Sequence, residues 1–364
     1  MRTTKLLALT LAGVMAASLL TGCPQQQGGP DASPSSSSSS RPHHTDSSDD
    51  SSSDDTSSSS SSSEPEIEIP EGGYTIDKTT GTYHVYTAEG LQAWADAAQS
   101  TPPGQDCSTN CTLEKDIVLT DEWTPISFYV GTFDGQGHTI SGLQVTQSDF
   151  ATNGMFRMIK EGGCVKNLRL ENPMVTGTKS NTSNGAIVGQ LGRGGQIIGC
   201  TVSDATISGS LAGGIAGSTS GGGGNSGEII GCMVTDSTIE GTTTGGIVGS
   251  VQVNTTITAC CFVGSDASLK GGIVGAIQNP GKDKLTAEAC YWSGGAAQGV
   301  SGSGTYDGVA KVDGTWNTAV EAMNKALEGT KCTYRYGITG STPTLGPDSG
   351  AKALARLFNL TWPL

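Results

Sequence analysis

The chain has 364 residues and a formal net charge of −14, with 34 acidic side chains against 20 Lys and Arg. This balance excludes the basic footprint of nucleic-acid-binding proteins, so no nucleic acid is expected among its partners. Glycine is very frequent, at 54 residues, and aromatic residues make up only 5%. That composition disfavours a globular α/β enzyme and favours many short strands joined by tight turns.

Residues 1–22 have the pattern of an export signal. Arg2 and Lys5 precede an apolar run over residues 6–20, which is shorter than the ~20 residues that a membrane-spanning helix needs. The run ends in "LTGC" (residues 20–23), which resembles the lipobox of bacterial lipoproteins. The resemblance implies cleavage before Cys23 and a membrane-lipid partner through acyl chains on its thiol. The alternative is an ordinary secretory signal followed by an incidental cysteine.

Residues 23–72 comprise this cysteine and a tract rich in serine and aspartate. Such a tract cannot bury enough apolar surface to offset the loss of chain entropy, so a disordered linker is predicted. Joined to a lipid anchor, it would hold the following domain away from the membrane. The predicted location is therefore the cell membrane, with the domain facing the outside.

Residues 73–150 are predicted to form an N-terminal cap and the first coils of a larger structure. Thr87 is a suitable N-cap for the helix "AEGLQAWADAAQ", whose apolar side would cover the first coil. That side consists of Leu91, Trp94, Ala95 and Ala98.

Two further phrases of this segment contain reactive side chains. Cys107 and Cys111 lie in the polar stretch "CSTNC", where a local disulfide is expected. The phrase "FDGQGHTI" (residues 133–140) contains His138, which could serve an enzyme as a general base. We favour a tight turn built by Asp134 to Gly137, with no catalytic role for the histidine.

Residues 151–312 repeat one glycine-rich phrase. It reads "GAIVG", "GGIAG", "GGIVG" and "GGIVG" from residues 185, 213, 245 and 271, at spacings of 28, 32 and 26 residues. A period near thirty residues indicates a solenoid or a propeller. Each unit contains three short runs that alternate apolar and polar residues, which fits one coil of a parallel β-helix. A propeller blade would need about forty residues and four strands.

Cysteine recurs at one position of these units. Stacked coils lie ~4.8 Å apart, so equivalent residues form a ladder. The ladder comprises Leu168, Cys200, Cys232, Cys260 and Cys290. Because buried cysteine behaves as a small apolar residue, we predict a buried thiol ladder. A zinc or iron–sulfur site is the alternative, but no C-x2-C pair is present, and neither a metal nor a cofactor is expected. Disulfides between rungs also remain open.

The repeated phrases resemble the GLUG repeat of large bacterial surface proteins. The first three are each followed by a strand of the form I-x-[GA]-C, led by Ile197, Ile229 and Ile257. The resemblance extends over Tyr74 to Pro347, and departs from the pattern at "NGMFRM" (residues 153–158). It implies a right-handed parallel β-helix on a cell surface, often in adhesin-like proteins, and no catalytic residues.

Residues 313–364 are predicted to form a C-terminal cap. "TWNTAVEAMNKALEG" (residues 315–329) has apolar residues at helical spacing, and Gly329 is a natural helix stop. The last residues, "SGAKALARLFNLTWPL", suggest another short amphipathic helix. Its apolar side could pack on the final coil, which we favour, or contact a partner.

A carbohydrate-active enzyme is the main alternative, because β-helices host polysaccharide lyases and glycoside hydrolases. Asp204 and Asp236 occupy equivalent positions of neighbouring units, and stacking could bring them within the ~5–9.5 Å that glycosidases use. They lie in turn phrases, however, where aspartate bonds its own backbone. Tyr291 and Trp292 could form a sugar-stacking platform if they face outward, although a core role is favoured.

The sequence thus predicts a mainly β protein, a right-handed parallel β-helix with short capping helices at both ends. Its predicted function is that of a non-catalytic, membrane-anchored, extracellular lipoprotein acting as an adhesin-like or surface interaction module. Host or microbial glycans or surface proteins are its expected partners. A carbohydrate-active enzyme and a purely structural surface protein are the alternatives.

Overall fold

The computed structural model describes residues 68–100, 104–177, 180–220, 227–266, 268–278 and 285–348. The predicted signal, Cys23, nearly all of the serine-rich linker and the last predicted helix lie outside these residues. The described chain winds into a β-solenoid of about six turns, whose strands stack in parallel into four sheets. The prediction of a mainly β parallel β-helix is confirmed.

Each turn of the chain visits the four sheets in a fixed order, which the second turn illustrates. Phe156–Ile159 lies in sheet B, Cys164–Lys166 in sheet A, Arg169–Glu171 in sheet C and Met174–Val175 in sheet D. Every strand pairs with its equivalent in the turns before and after it. The chain then passes through Ser183–Gly185, also of sheet D, and enters the next strand of sheet B.

The sheets have the following members. Sheet A comprises Tyr74–Ile76, Tyr83–Val85, Cys111–Leu113, Thr132–Asp134, Cys164–Lys166, Gln196–Ile198, Gly227–Ile230, Thr255–Thr258 and Leu285–Glu288. Sheet B comprises Ile126–Tyr129, Phe156–Ile159, Val188–Leu191, Ala216–Thr219, Val248–Val251 and Val274–Ile277. Sheet C comprises Ile117–Val118, Thr139–Ser141, Arg169–Glu171, Thr201–Ser203, Met233–Thr235, Cys261–Val263, Cys290–Trp292 and Val309–Lys311. Sheet D comprises Gln144–Val145, Thr152–Asn153, Met174–Val175, Ser183–Gly185, Thr206–Gly213 and Thr238–Gly245.

The core is a set of stacked apolar rows, one from each sheet. The middle residue of each short strand points inward, since neighbouring side chains on a strand alternate between faces. Sheet A contributes Phe133, Val165, Ile197, Ile229 and Ile257, all without exposed surface. Sheet C contributes Ile140, Leu170, Val202, Val234 and Phe262. Burial of these rows is the main stabilising contribution.

The N-terminal end of the solenoid is covered by helix α1, Ala88–Gln99. The Thr87 hydroxyl accepts a hydrogen bond from the backbone N–H of Gly90, at 3.2 Å. The predicted apolar side is buried, and the Trp94 ring packs 5.1 Å from that of Phe133. Gly90 fits because a Cβ there would lie 2.1 Å from the carbonyl oxygen of Gly73, which belongs to the short 3-10 helix Glu71–Gly73. This end is therefore closed by a packed helix, as the apolar pattern predicts.

The C-terminal end of the solenoid is closed by a loop. Trp292 of the last coil is buried and its indole N–H donates to the carbonyl oxygen of Ala296, at 3.1 Å. Val300 bridges to Val274, and the Tyr306 hydroxyl donates to the carbonyl oxygen of Leu285, at 2.6 Å. The large aromatic ring and the following loop together cover the last apolar rows.

Helix α2, Asn317–Leu327, differs in position from the predicted cap. Its buried residues pack on the outer face of sheets A and C, against a row that includes Ile198, Ile230 and Met233. The antiparallel hairpin Tyr334–Thr339 and Thr342–Pro347 packs beside it on the same apolar patch. These outward-facing apolar residues need a cover, which explains why the helix lies along the side of the solenoid. We call α2 and the hairpin the side brace.

Candidate interaction surfaces and the predicted site residues

The repeated glycine phrase is a packing device. In "GGIVG" from residue 245, a Cβ on Gly245 would lie 2.0 Å from the carbonyl oxygen of Val248. One on Gly246 would lie 2.2 Å from the carbonyl oxygen of Gly272 and 2.7 Å from Phe262, and one on Gly249 would lie 2.5 Å from the carbonyl oxygen of Gly217. All three positions therefore require the absence of a side chain.

The four cysteines of the predicted ladder lie in the core with no exposed surface. Their contacts repeat from coil to coil. Each thiol is 3.4–3.5 Å from the carbonyl oxygen two residues before it, and 3.3–3.7 Å from a carbonyl oxygen of the preceding coil. The residue before each rung has a positive φ of 50–64°, from Asn167 through Gly199 and Gly231 to Ala289. This corner turns the chain and aims each sulfur inward.

Burial has a direct consequence for the chemistry of the ladder. It raises the pKa of Cys200 and Cys232 well above the ordinary value, and that of Cys290 to about 12. A thiol, unlike a thiolate, is a poor nucleophile and metal ligand. In the described residues, moreover, no group of three His, Cys, Asp or Glu side chains could hold a metal ion.

The expected local disulfide is a point of difference. Cys107 and Cys111 are both thiols in the structure, and both are buried. Cys107 pairs with Tyr129 of sheet B, whereas Cys111 belongs to sheet A and pairs with Phe133. The chain thus turns a corner between them, and the stretch that looks polar in the sequence places both sulfurs among core aromatic rings. The disulfide predicted from their proximity in sequence is corrected accordingly.

Asp204 and Asp236 lie at the corner between sheets C and D. Both are exposed and have positive φ, 55° and 48°, and Asn172 holds the same conformation one coil earlier. Aspartate and asparagine are the residues other than glycine that tolerate this region most readily. A turn role accounts for the residue type at each position, as the turn phrases predict.

The outer faces of sheets C and D beside this corner form a largely polar surface along several coils. Sheet C contributes in-register Ser141, Glu171, Ser203 and Thr235. Sheet D contributes in-register Gln144, Met174, Thr206 and Thr238. With Asp204, Asp236 and the exposed Glu240 they make what we call the corner face. Side chains on it repeat at the coil spacing of ~4.8 Å.

The histidines of the described residues each pair with a carboxylate. His138 Nδ1 lies 3.3 Å from Asp116 Oδ1, which also accepts the backbone N–H of Thr139 at 2.8 Å. His84 Nδ1 lies 2.7 Å from Glu114 Oε1. The Asp134 carboxylate accepts the N–H of Gln136 at 3.0 Å, which forms the turn expected for "FDGQGHTI".

The two aromatic candidates, Tyr291 and Trp292, point to opposite faces of their strand. Trp292 points into the core and is 6% exposed, so its ring is not available for stacking. Tyr291 points outward and lines a cleft of about 490 Å³ between α2 and the last coils. Ala322, Lys325 and Ala326 form its helical wall. Sequence reasoning leaves the two faces open, because alternation alone does not say which residue points inward.

Sequence reasoning misses the carboxylates that close strand edges. Glu122 accepts the backbone N–H groups of Thr146 and Gln147, at 2.5 and 2.6 Å. Asp266 accepts that of Ile239, at 2.8 Å. Both act where a neighbouring strand is missing, so that edge N–H groups are satisfied by a side chain. No local pattern marks them, since their partners lie more than twenty residues away.

No protein-family model matches the chain. It is similar to Halomucin of Haloquadratum walsbyi, with 38% identity over 64 residues, and the match covers 16% of this chain and 1% of that protein. It is also similar to a crystal structure of a "putative immunoglobulin A1 protease" from Bacteroides ovatus, with a TM-score of 0.48 and 19% identity over 75% of this chain and 93% of that one. These likenesses assign no activity and no partner to this chain.

In the part of the chain that the structure describes, neither helix combines the length and the apolar character needed to cross a bilayer.

Proposed function

We propose that this chain is a lipid-anchored, extracellular, non-catalytic interaction module with GLUG-type repeats, adhesin-like in character. The observation that carries the proposal is that the candidate catalytic and metal-binding side chains have structural roles. Ladder thiols are buried, Asp204 and Asp236 hold corners in a left-handed conformation, and His138 pairs with Asp116 beside a turn.

The anchor is the part of the proposal that rests on the sequence alone. The lipobox-like "LTGC" supplies Cys23, and the tract of serine and aspartate that follows supplies a spacer. Stable anchoring needs two acyl chains or a second membrane signal, which a diacylated cysteine satisfies. Metabolic labelling with palmitate tests the anchor. Label should enter the wild-type chain and be lost in Cys23→Ala, and equal labelling of both would overturn it.

The corner face is the surface that we assign to binding. Exposed carboxylates and hydroxyls of successive coils stand there in register, and the side brace lies elsewhere, over the outer apolar row of sheets A and C. Such a ladder offers repeated hydrogen-bonding groups to an extended partner, such as a glycan or a protein surface. Its partner class is proposed from this chemistry.

The test combines a glycan array with turnover assays on the same full chain. Asp204→Asn/Asp236→Asn removes both carboxylates while keeping residues that tolerate a positive φ. Glu321→Gln, an exposed position on α2, is the matched control. We expect at least a tenfold loss of binding in the double variant only. Turnover of a polysaccharide that disappears in the double variant would instead establish a carbohydrate-active enzyme and overturn the proposal.

A further inference from the structure

The cleft beside Tyr291 lies between the side brace and the last coils of the solenoid. Ala289, Tyr291 and Val309 form the wall on the coils, while Ala322, Lys325 and Ala326 form the wall on α2. The small alanine side chains on both walls leave the gap unfilled, with a volume of about 490 Å³. A cleft of this size falls in the range that takes up several side chains or a small ligand.

The end of the described chain is tethered near one end of α2. The backbone N–H of Asp348 donates to the carbonyl oxygen of Thr333, at 3.2 Å, and its carboxylate lies 3.9 Å from Arg335 Nε. Thr330 lies three residues after the last helical residue, Leu327, and its hydroxyl donates to the carbonyl oxygen of Leu327, at 2.8 Å. The chain beyond Asp348 therefore starts close to the C-terminal end of the helix that forms one wall of the cleft.

The remaining sixteen residues can reach the cleft. An extended segment of this length spans about 50 Å, whereas α2, with its eleven residues, is about 16 Å long. These residues lie outside the described part of the chain. Their sequence contains six large apolar residues: Leu354, Leu357, Phe358, Leu360, Trp362 and Leu364.

The pattern of this segment matches the cleft. Leu354, Leu357 and Phe358 have the i, i+3, i+4 spacing of one apolar side, and Lys352 and Arg356 are basic. The cleft walls combine small apolar side chains with Tyr291 and Lys325, and the exposed Glu288 lies at the edge. The apolar side of the segment thus matches the alanine and valine side chains of the walls, and its basic residues can pair with Glu288.

We infer that residues 349–364 dock in this cleft through Leu354, Leu357 and Phe358, and so cover Tyr291. The segment extends the side brace and fastens α2 to the last coils. This inference is independent of the proposed function, since it concerns a surface other than the corner face.

Limited trypsin digestion of the full chain tests the docking. Lys352 and Arg356 are cleavage sites inside the segment, and the released peptides 353–364 and 357–364 are measured by mass spectrometry. A docked segment is cut only when it opens, so its cleavage rate reports the open population. Ala322→Trp fills the cleft with a large ring and adds no charge. Thr318→Trp, an exposed position one turn earlier on α2, is the size-matched control.

We expect Ala322→Trp to raise the cleavage rate by about tenfold, because its ring occupies the space that the segment would fill. Thr318→Trp should leave the rate unchanged, and both variants should melt within a few degrees of the wild type. Equal cleavage in all three chains would overturn the inference. Protection that grows with protein concentration would also overturn it, because the segment would then dock on a second copy of the chain.

Discussion

The hydroxyl of Tyr336 lies 2.8 Å from the carbonyl oxygen of Ala259, although 77 residues separate the two. It also lies 3.1 Å from the carbonyl oxygen of Cys232, in the preceding coil. The phenol is buried, and burial raises its pKa well above the ordinary value. The Tyr336 hydroxyl thus contacts backbone carbonyl oxygens of two neighbouring coils, where the side brace covers the outer apolar row of sheets A and C.

Replacing Tyr336 with phenylalanine should therefore loosen the side brace. The ring and its packing are kept, while buried carbonyl oxygens lose a donor, so we expect a loss of about 1–2 kcal/mol in the free energy of unfolding. Denaturant titration measures it, with Thr342→Ala on the exposed strand of the hairpin as the control. An unchanged midpoint for Tyr336→Phe would show that these hydrogen bonds contribute nothing to stability.

Gly246→Ala should be far more disruptive than its single methyl group suggests. That methyl would lie 2.2 Å from the carbonyl oxygen of Gly272 and 2.7 Å from Phe262, so the coils must separate. We expect a destabilisation of about 3 kcal/mol, measured by thermal or denaturant unfolding.

The control is Gly337→Ala in the hairpin, where the added methyl would lie 3.3 Å from the Thr344 hydroxyl oxygen. It should cost well under half as much. Similar losses in the two variants would contradict the close-packing role of the repeated phrase.

Alkaline pH should destabilise the fold through its buried thiols. Burial raises the pKa of Cys290 from 9.0 to about 12, and that of the half-buried Cys164 to about 11. Below pH 9 both folded and unfolded chains keep these protons, and the stabilising contribution is complete. Above pH 9 the unfolded chain releases protons that the folded chain retains, so the free energy of unfolding falls as the pH rises toward 12.

Unfolding measured at several pH values between 8 and 11 tests this dependence. Each thiol contributes up to about 1.4 kcal/mol per pH unit in its window, so Cys290→Ala should flatten the curve by roughly that amount. A steeper curve in Cys290→Ala than in the wild type would reverse the predicted sign.

Glu122→Ala should weaken the first coils. The carboxylate accepts the backbone N–H groups of Thr146 and Gln147, and the variant leaves them to water at an exposed edge. We expect a loss of about 1 kcal/mol, with faster hydrogen exchange at these two amides. Asp121→Ala, its exposed neighbour, should change neither quantity. Unaltered exchange in Glu122→Ala would rule out edge closure by this carboxylate.

Much of the solenoid could be predicted from the sequence because its information is local and repeated. One coil is specified by a glycine phrase, an I-x-[GA]-C strand and a corner residue. Because the coils stack in parallel, equivalent positions of these repeats lie next to each other. The inward rows and the burial of Cys200, Cys232, Cys260 and Cys290 follow from the same periodicity. Helix α1 could also be predicted from the sequence, because its N-cap and its apolar side lie within one short segment.

The side brace was decided by contacts that no local pattern encodes. Ile198, Ile230 and Met233 face outward on successive coils, and only the assembled sheets make them one apolar patch that α2 can cover. The positions of Cys107 and Cys111 also depend on the tertiary structure, because the two residues are close in sequence but enter the core from different sheets. The sequence by itself determined the coil, since every coil repeats the same short-range rules. The tertiary structure alone decided what lies on the coil, because that depends on side chains brought together from distant turns.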